Sequence, residues 1–302
     1  MESNTWSNKI QGPLTLDLTR ELKFRDDRKS LLLYLLGLKP KMKIVDIGCG
    51  PGALTRKLAH WLGENTEITG IDRDNNFIEY ARKKAKNKGF NNIEYIKGDA
   101  LDIPLEENSV DACTSHTVIE HVPNKKFLKE QKRICKKGGK VSVMFSSPQH
   151  YIKTNPKEVP KMSDREKELW SKFDEVFEKA NEKYIDDTLW VGFENLPKLF
   201  EELGFKNIIV DGIALPVALD DSRNNFERKI KILEAKKQQY FEKLNLGINL
   251  LSDTPDKQNI EELRKLIEKR FEERKNLIEK NQKLWDFKIN FVYIVRGTVK
   301  KI

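Results

Sequence analysis

Cysteine and histidine are scarce in this chain, with three and four among 302 residues. Cys49, Cys113 and Cys135 are odd in number, and no pair has the spacing of a disulfide framework or a metal site. They read as reduced thiols, and no metal is expected. No apolar run reaches the roughly eighteen residues that a membrane helix needs. The opening Met1-Glu2-Ser3-Asn4-Thr5-Trp6 lacks a basic patch followed by an apolar stretch, so no secretory signal is expected. These absences together point to a cytoplasmic protein. Internal repeats, low-complexity tracts and dense basic blocks interleaved with aromatics are missing too. The formal charge is +9, yet the lysine-rich region from Asn225 to Asp286 holds 15 Lys or Arg against 12 Asp or Glu. Mixed charges around an apolar helical stripe mark a solvated face, which argues against a nucleic-acid partner. A chain of this length can form one large domain with insertions as well as two domains, and it can bury a substantial core.

What is present is concentrated in Val45-Asp46-Ile47-Gly48-Cys49-Gly50-Pro51-Gly52. The run follows an apolar stretch and opens into Ala53-Leu54-Thr55-Arg56-Lys57-Leu58-Ala59, which has helical spacing. A strand, a glycine turn and a helix in that order bring bare backbone N–H groups up to a ligand. Glycine suits the turn because a Cβ would block close approach or forbid a positive φ. The expectation is a nucleotide-type cofactor. Two patterns fit. Read as G-x-G-x-x-A, Gly48, Gly50 and Ala53 match the dinucleotide fingerprint, with Asp72 about twenty residues on as the ribose acid. Read as Asp46-x-Gly48-x-Gly50-x-Gly52, with an acid two residues before the first glycine, the run resembles the first motif of the class I S-adenosylmethionine-dependent methyltransferases.

The resemblance continues through roughly the first half of the chain. Gly70-Ile71-Asp72-Arg73-Asp74 is similar to the family's second strand end. Its acid accepts both ribose hydroxyls, a task that suits the two oxygens of a carboxylate. Gly98-Asp99-Ala100-Leu101 resembles the segment that reads the adenine, and Val110 to Val122 resembles strand four and its helix. Arg133 to Val143 resembles the turn into strand five. The resemblance implies S-adenosylmethionine as cofactor, held by Asp46, Gly48, Cys49, Gly50, Gly52, Asp72, Arg73, Asp99, Ala100, Leu101 and Ser115. It also implies an α/β, Rossmann-like doubly wound sheet of seven strands with the last one antiparallel.

Strands are expected at about 43–47, 67–72, 92–96, 110–114, 140–145, 207–213 and 287–295, with helices between. Residues 1–40 read as a helical lead-in, with a helix over 27–36 closed by Gly37 and Pro40. The core spans 41–215 and 286–302, with a helical insertion at about 155–190. Residues 216–285 form an inserted helical pair between strands six and seven. Phe226, Ile230, Leu233, Tyr240 and Leu244 make one of its stripes. Ile260, Leu263, Ile267, Phe271, Ile278 and Trp285 make the other, with Asn259 and Glu262 as its cap. The pair has three possible roles: covering the site, packing on the core, or joining two subunits as a homodimer.

Methyl transfer from a sulfonium needs alignment and exclusion of water, and a base only where the nucleophile carries a proton. His116, just past strand four, is the candidate base or hydrogen-bond partner, with Glu120 one helical turn on. Local packing is its competing role. His121 reads as structural, and His150 and Tyr151 as loop residues that either face the acceptor or lie on the surface. Asp220 and Asp221 read as caps of the inserted helix or as contacts for a cationic substrate, and Trp6 as part of a lid. Thr114-Ser115-His116-Thr117 replaces the Asn/Asp-Pro-Pro-aromatic run of nucleic-acid amino methyltransferases. Cys113 falls inside a strand rather than in a cytosine-C5 motif. Both departures favour a small-molecule acceptor. Methylation of RNA or protein, a nicotinamide oxidoreductase, and a non-catalytic partner protein are the alternatives.

Overall fold

The computed structural model describes residues 6–146, 151–153, 160–181, 190–250 and 257–300. Five parallel strands form the centre of the sheet: β1 (Lys43–Ile47), β2 (Glu67–Asp72), β3 (Ile93–Lys97), β4 (Val110–His116) and β5 (Cys135–Phe145). Their spatial order is β3-β2-β1-β4-β5, so the chain reverses its direction of progress between β1 and β4. That reversal opens a crevice at the carboxyl ends of the strands, where ligands of such sheets bind. The last strand, β8 (Phe287–Thr298), runs antiparallel between β5 and β7 (Lys206–Ala218).

An eighth strand, β6 (Tyr151–Lys153), joins the seven read from the sequence. It pairs with β8 on the edge that β5 also occupies: Phe145 faces Tyr293, and Tyr151 faces Asn290. It therefore prolongs the β5 edge after an interruption. Three exposed residues are too short a run for a strand to be read from an apolar pattern.

Pleating sorts the side chains onto two cores. Val45 and Ile47 point to one face, with Val143, Phe127 of α5 (Asn124–Ile134) and Phe200 of α7 (Leu196–Glu202). Ile44 points to the other, with Leu36 of α2 (Lys29–Leu36) and Leu58 of α3 (Ala53–Leu62). α2 stops at Gly37, whose φ of 70° is left-handed. α4 (Asn75–Asn87) starts at Asp74, whose side chain accepts from the N–H groups of Asn76 and Phe77.

A third apolar cluster lies beside the sheet. It joins α6 (Asp164–Asn181), α8 (Phe226–Leu250) and α9 (Lys257–Glu279) to Leu22 of α1 (Pro13–Lys23). Leu233, Leu244, Leu263, Ile267, Phe271 and Ile278 are buried there, so both stripes are covered within the chain. Phe226 and Trp285 are not part of it and stand more than half exposed. Trp285 follows the end of α9, in a turn where its own φ is positive. Asn259 is not the cap of α9, because the helix begins at Lys257; Asn259 and Glu262 both accept from Arg165 of α6 instead.

Candidate functional site

A cavity of about 420 Å³ lies at the carboxyl ends of β1, β2 and β4. The glycine turn forms one wall. Gly48, Gly50 and Gly52 have φ values of 67°, 54° and 80°, a region that side chains other than glycine rarely adopt. A Cβ on Gly48 would strike Val118, and one on Gly52 the Tyr95 hydroxyl. The turn's N–H groups are not bare. Those of Gly48 and Cys49 donate to the Ile71 carbonyl, that of Gly50 to Asp72 Oδ2 at 2.8 Å, and that of Gly52 to the Cys49 carbonyl. The glycines therefore serve the fit of the turn against β2 and β4, and the expected row of free donors is spent inside the protein.

Carboxylates flank the turn. Asp72 accepts from the N–H of both Gly50 and Asp74, fixing the turn to the end of β2. Burial raises its pKa above the usual carboxylate range, opposed by those two bonds. Asp46 is almost wholly buried and accepts from the Thr55 hydroxyl at 2.7 Å. Burial pushes it up to about 7, the Thr55 bond opposes this, and the Asp72 charge adds to it.

The N-terminal segment forms the opposite wall through Trp6, Gln11, Leu16 and Arg20. Ser7 donates through both its N–H and its hydroxyl to the two oxygens of Asp74. Trp6 meets the edge of the His121 ring at 4.8 Å between centroids. Asp17 of α1 pairs with Arg56, whose other nitrogen reaches the Pro51 carbonyl in the glycine turn. From behind, Glu242 of α8 accepts from the N–H groups of Gly12 and Thr15.

A family model described as a methyltransferase domain matches residues 38–184. A demethylmenaquinone methyltransferase of Staphylococcus aureus is 31% identical over 184 residues, covering 58% of this chain and 72% of that protein. The chain belongs to the class I S-adenosylmethionine-dependent methyltransferases. The ubiquinone/menaquinone biosynthesis C-methyltransferase UbiE of Shewanella baltica is 33% identical over 127 residues, which is 41% of this methyltransferase and 51% of UbiE. The chain thus matches about half the length of that relative. In fold, the methyltransferase is similar to phosphoethanolamine N-methyltransferase 2 of Haemonchus contortus. The TM-score is 0.55 at 16% identity, over 100% of this chain and 60% of that one. The methyltransferase family sets aside the dinucleotide reading of the glycine turn.

Of the residues singled out in the sequence, Asp46, Gly48, Cys49, Gly50, Asp72, Arg73, Asp99, Ala100, Leu101 and His116 line the cavity of the methyltransferase. Gly52 lies behind them at the start of α3. Ser115 does not line it. One residue before His116 on a pleated strand, it faces the other way and is fully buried, its hydroxyl without a hydrogen-bond partner. Asp99 Oδ1 accepts from the N–H of Leu101 and so holds its own loop closed.

His121 lines the cavity rather than only supporting it. His150 lies outside the described residues, and Tyr151 is exposed on β6. Neither Asp220 nor Asp221 caps α8. Asp220 accepts from Arg274 and from the N–H groups of Leu284 and Trp285, and Asp221 accepts from Arg223. Asn225 supplies the cap, accepting from the N–H of Arg228.

Sequence reasoning missed Gln11, Leu16 and Arg20, because the lead-in was read without α1. The signal available was Pro13 at the first helical turn. Thr117 was quoted only as part of a missing motif. In the structure it has a φ of 55° and receives Arg20 Nη2 on its hydroxyl at 2.9 Å.

Proposed function

We propose that this methyltransferase transfers the methyl group of S-adenosylmethionine to a small-molecule acceptor in the cavity between the glycine turn and α1. The observation that carries the proposal is the cavity itself. The carboxylates Asp46 and Asp72 stand at the turn, Asp99 and Ala100 at the end of β3, and His116 at the end of β4. When bound, the cofactor supplies an electrophilic methyl on a cationic sulfonium. Asp72 would accept from the ribose hydroxyls, and the Asp99 loop would meet the adenine. A Cβ on Gly50 would press on Leu16 of α1, so glycine there keeps the gap between the turn and α1 clear for the cofactor.

Trp6, Leu16 and Arg20 cover the site, so water is excluded while nucleophile, carbon and sulfur are aligned. His116 is nearly buried, and its pKa lies well below the usual imidazole range, first through burial and then through Arg20 and Lys23. It is therefore neutral at neutral pH and can hydrogen-bond an acceptor group, while the same burial and charges make it a weak base. Enclosure beneath α1 and the lack of a dense basic track support a small acceptor over RNA or protein. The names of the relatives favour a quinol-type acceptor methylated at carbon. The three buried, unpaired thiols suit a cytoplasmic setting.

The test is calorimetry with S-adenosylmethionine and S-adenosylhomocysteine beside NAD and NADP. Binding of the adenosyl sulfur compounds alone is expected. Binding of the nicotinamide compounds alone would end the proposal.

A further inference from the structure

Past the glycine turn, Arg20 lines the cavity and Lys23 stands behind it on the same helix, and among the described residues no carboxylate pairs with either. Arg20 and Lys23 stand three residues apart on α1, so they project from one face of it. Arg20 donates to the Thr117 hydroxyl at 2.9 Å, and Lys23 Nζ to the Ser146 hydroxyl at 3.1 Å. Each rests on a neutral group. Lys23 is only 7% exposed, and among the described residues neither side chain makes an ion pair. His116 Nε2 lies 3.4 Å from the same Ser146 hydroxyl, and its ring meets Phe24 edge-on at 5.1 Å.

Among the described residues, Glu120 is the carboxyl whose charge acts on both Arg20 and Lys23. Its Oε2 is buried without a hydrogen-bond partner, and burial pushes it up to about 7, so it is an incomplete counter-ion. Lys288 adds positive charge beside Lys23, and burial together with Arg20 and Lys288 pulls the Lys23 ammonium well below its usual range. A buried base with an incomplete counter-ion is costly to keep. Two of them on the helix that covers a substrate cavity need a partner that arrives from outside.

We propose that Arg20, Lys23 and the Ser146 hydroxyl form an anion subsite that binds an oxyanion of the acceptor beside the atom to be methylated. The enzyme then selects acceptors that carry a carboxylate, phosphate or phenolate group. This rests on the methyltransferase reading of the cavity. Binding would exchange the two neutral hydroxyl partners for charge-assisted hydrogen bonds, the stronger kind.

The test uses the full chain saturated with S-adenosylhomocysteine, with benzoate and benzamide as probes of matching shape and different charge. Calorimetry should show benzoate bound about tenfold or more tightly than benzamide. Arg20→Gln and Lys23→Met should each remove about tenfold of that preference while S-adenosylhomocysteine still binds. Ser146→Ala, which leaves both basic groups in place, should weaken it less; it serves where a charge variant does not fold. Equal binding of the two probes to the unmodified protein overturns the subsite, as does an undiminished preference in all folded variants. A third outcome also overturns it: the variants lose affinity for S-adenosylhomocysteine but not for 5′-methylthioadenosine, which lacks the amino-acid carboxylate. The basic groups then serve the cofactor. Failure of S-adenosylhomocysteine to bind the unmodified protein at all removes the methyltransferase reading, and the subsite with it.

Discussion

Among the described residues, the Asp46 side chain has no charged partner of opposite sign and accepts from the Thr55 hydroxyl alone. Its pKa of about 7 in the folded protein lies far above the value of about 4 expected in an unfolded chain. The folded state therefore binds the extra proton. Stability from this group is complete below the unfolded value and is lost as pH rises through about 7. A cationic ligand reverses the preference, because it favours the ionised carboxylate. Affinity for S-adenosylmethionine should accordingly climb between about pH 6 and pH 8, with proton release on binding. Asp46→Asn, which can still accept from Thr55, should flatten that climb; calorimetry in buffers of different ionisation enthalpy reads both effects. Asp72 works differently, since it holds the Gly50 and Asp74 N–H groups. Asp72→Ala should weaken S-adenosylhomocysteine binding by about tenfold or more in a folded protein, and unchanged affinity would remove Asp72 from the site. The glycine spacing was legible because a positive φ is a local demand on the backbone. Ser115 faces away from the cavity because alternation makes neighbouring strand residues face opposite ways. Arg20 was illegible because its partner Thr117 is 97 positions away.

Helix α1 shows why one element escaped the reading. Gly12 offers no side chain to cap it, and Leu14, Leu16 and Leu18 alternate as a strand would. Its first-turn N–H groups are satisfied by Glu242, 230 residues later in sequence than Gly12. A carboxylate there also suits the positive end of the helix dipole. The helix exists because of a tertiary cap, which no local pattern reports. The βα order of the core was legible for the opposite reason: each strand and helix carries its own apolar period, and only the short exposed β6 does not. Replacing Glu242 by alanine should cost about 1 kcal/mol of local stability. That amount is small for the whole protein and falls on the start of the cover, at Gly12 and Thr15. The expected result is nearly unchanged thermal unfolding, with S-adenosylhomocysteine released several-fold faster in stopped-flow. Release at the unmodified rate would mean that α1 holds its place without the inserted helix.

At the scale of the molecule, α8 and α9 connect the cover of the site to the end of the sheet. Their amphipathic stripes announced one buried face each, but a stripe does not say what it packs against. The buried polar groups supply that information. Arg274 of α9 is fully buried and donates through Nη2 to Asp220 at 2.7 Å and to Asp286 at 2.8 Å. Asp220 lies just past β7 and Asp286 just before β8, and Lys236 of α8 also reaches Asp286 at 2.7 Å. Arg274 thus ties α9 to both antiparallel strands, and Lys236 ties α8 to one of them. Arg274→Met would leave buried Asp220 with the backbone N–H groups of Leu284 and Trp285 alone and Asp286 with Lys236 alone, a loss of up to about 3–5 kcal/mol for a broken buried pair. If the insertion and the sheet form one cooperative unit, urea unfolding of the variant should remain a single transition at lower midpoint. S-adenosylhomocysteine should then raise that midpoint as it does in the unmodified protein. If the insertion is only an appendage, Arg274→Met should split the curve, with the helical signal lost first. The ligand would protect only the later transition, because its site would survive without the helices behind α1.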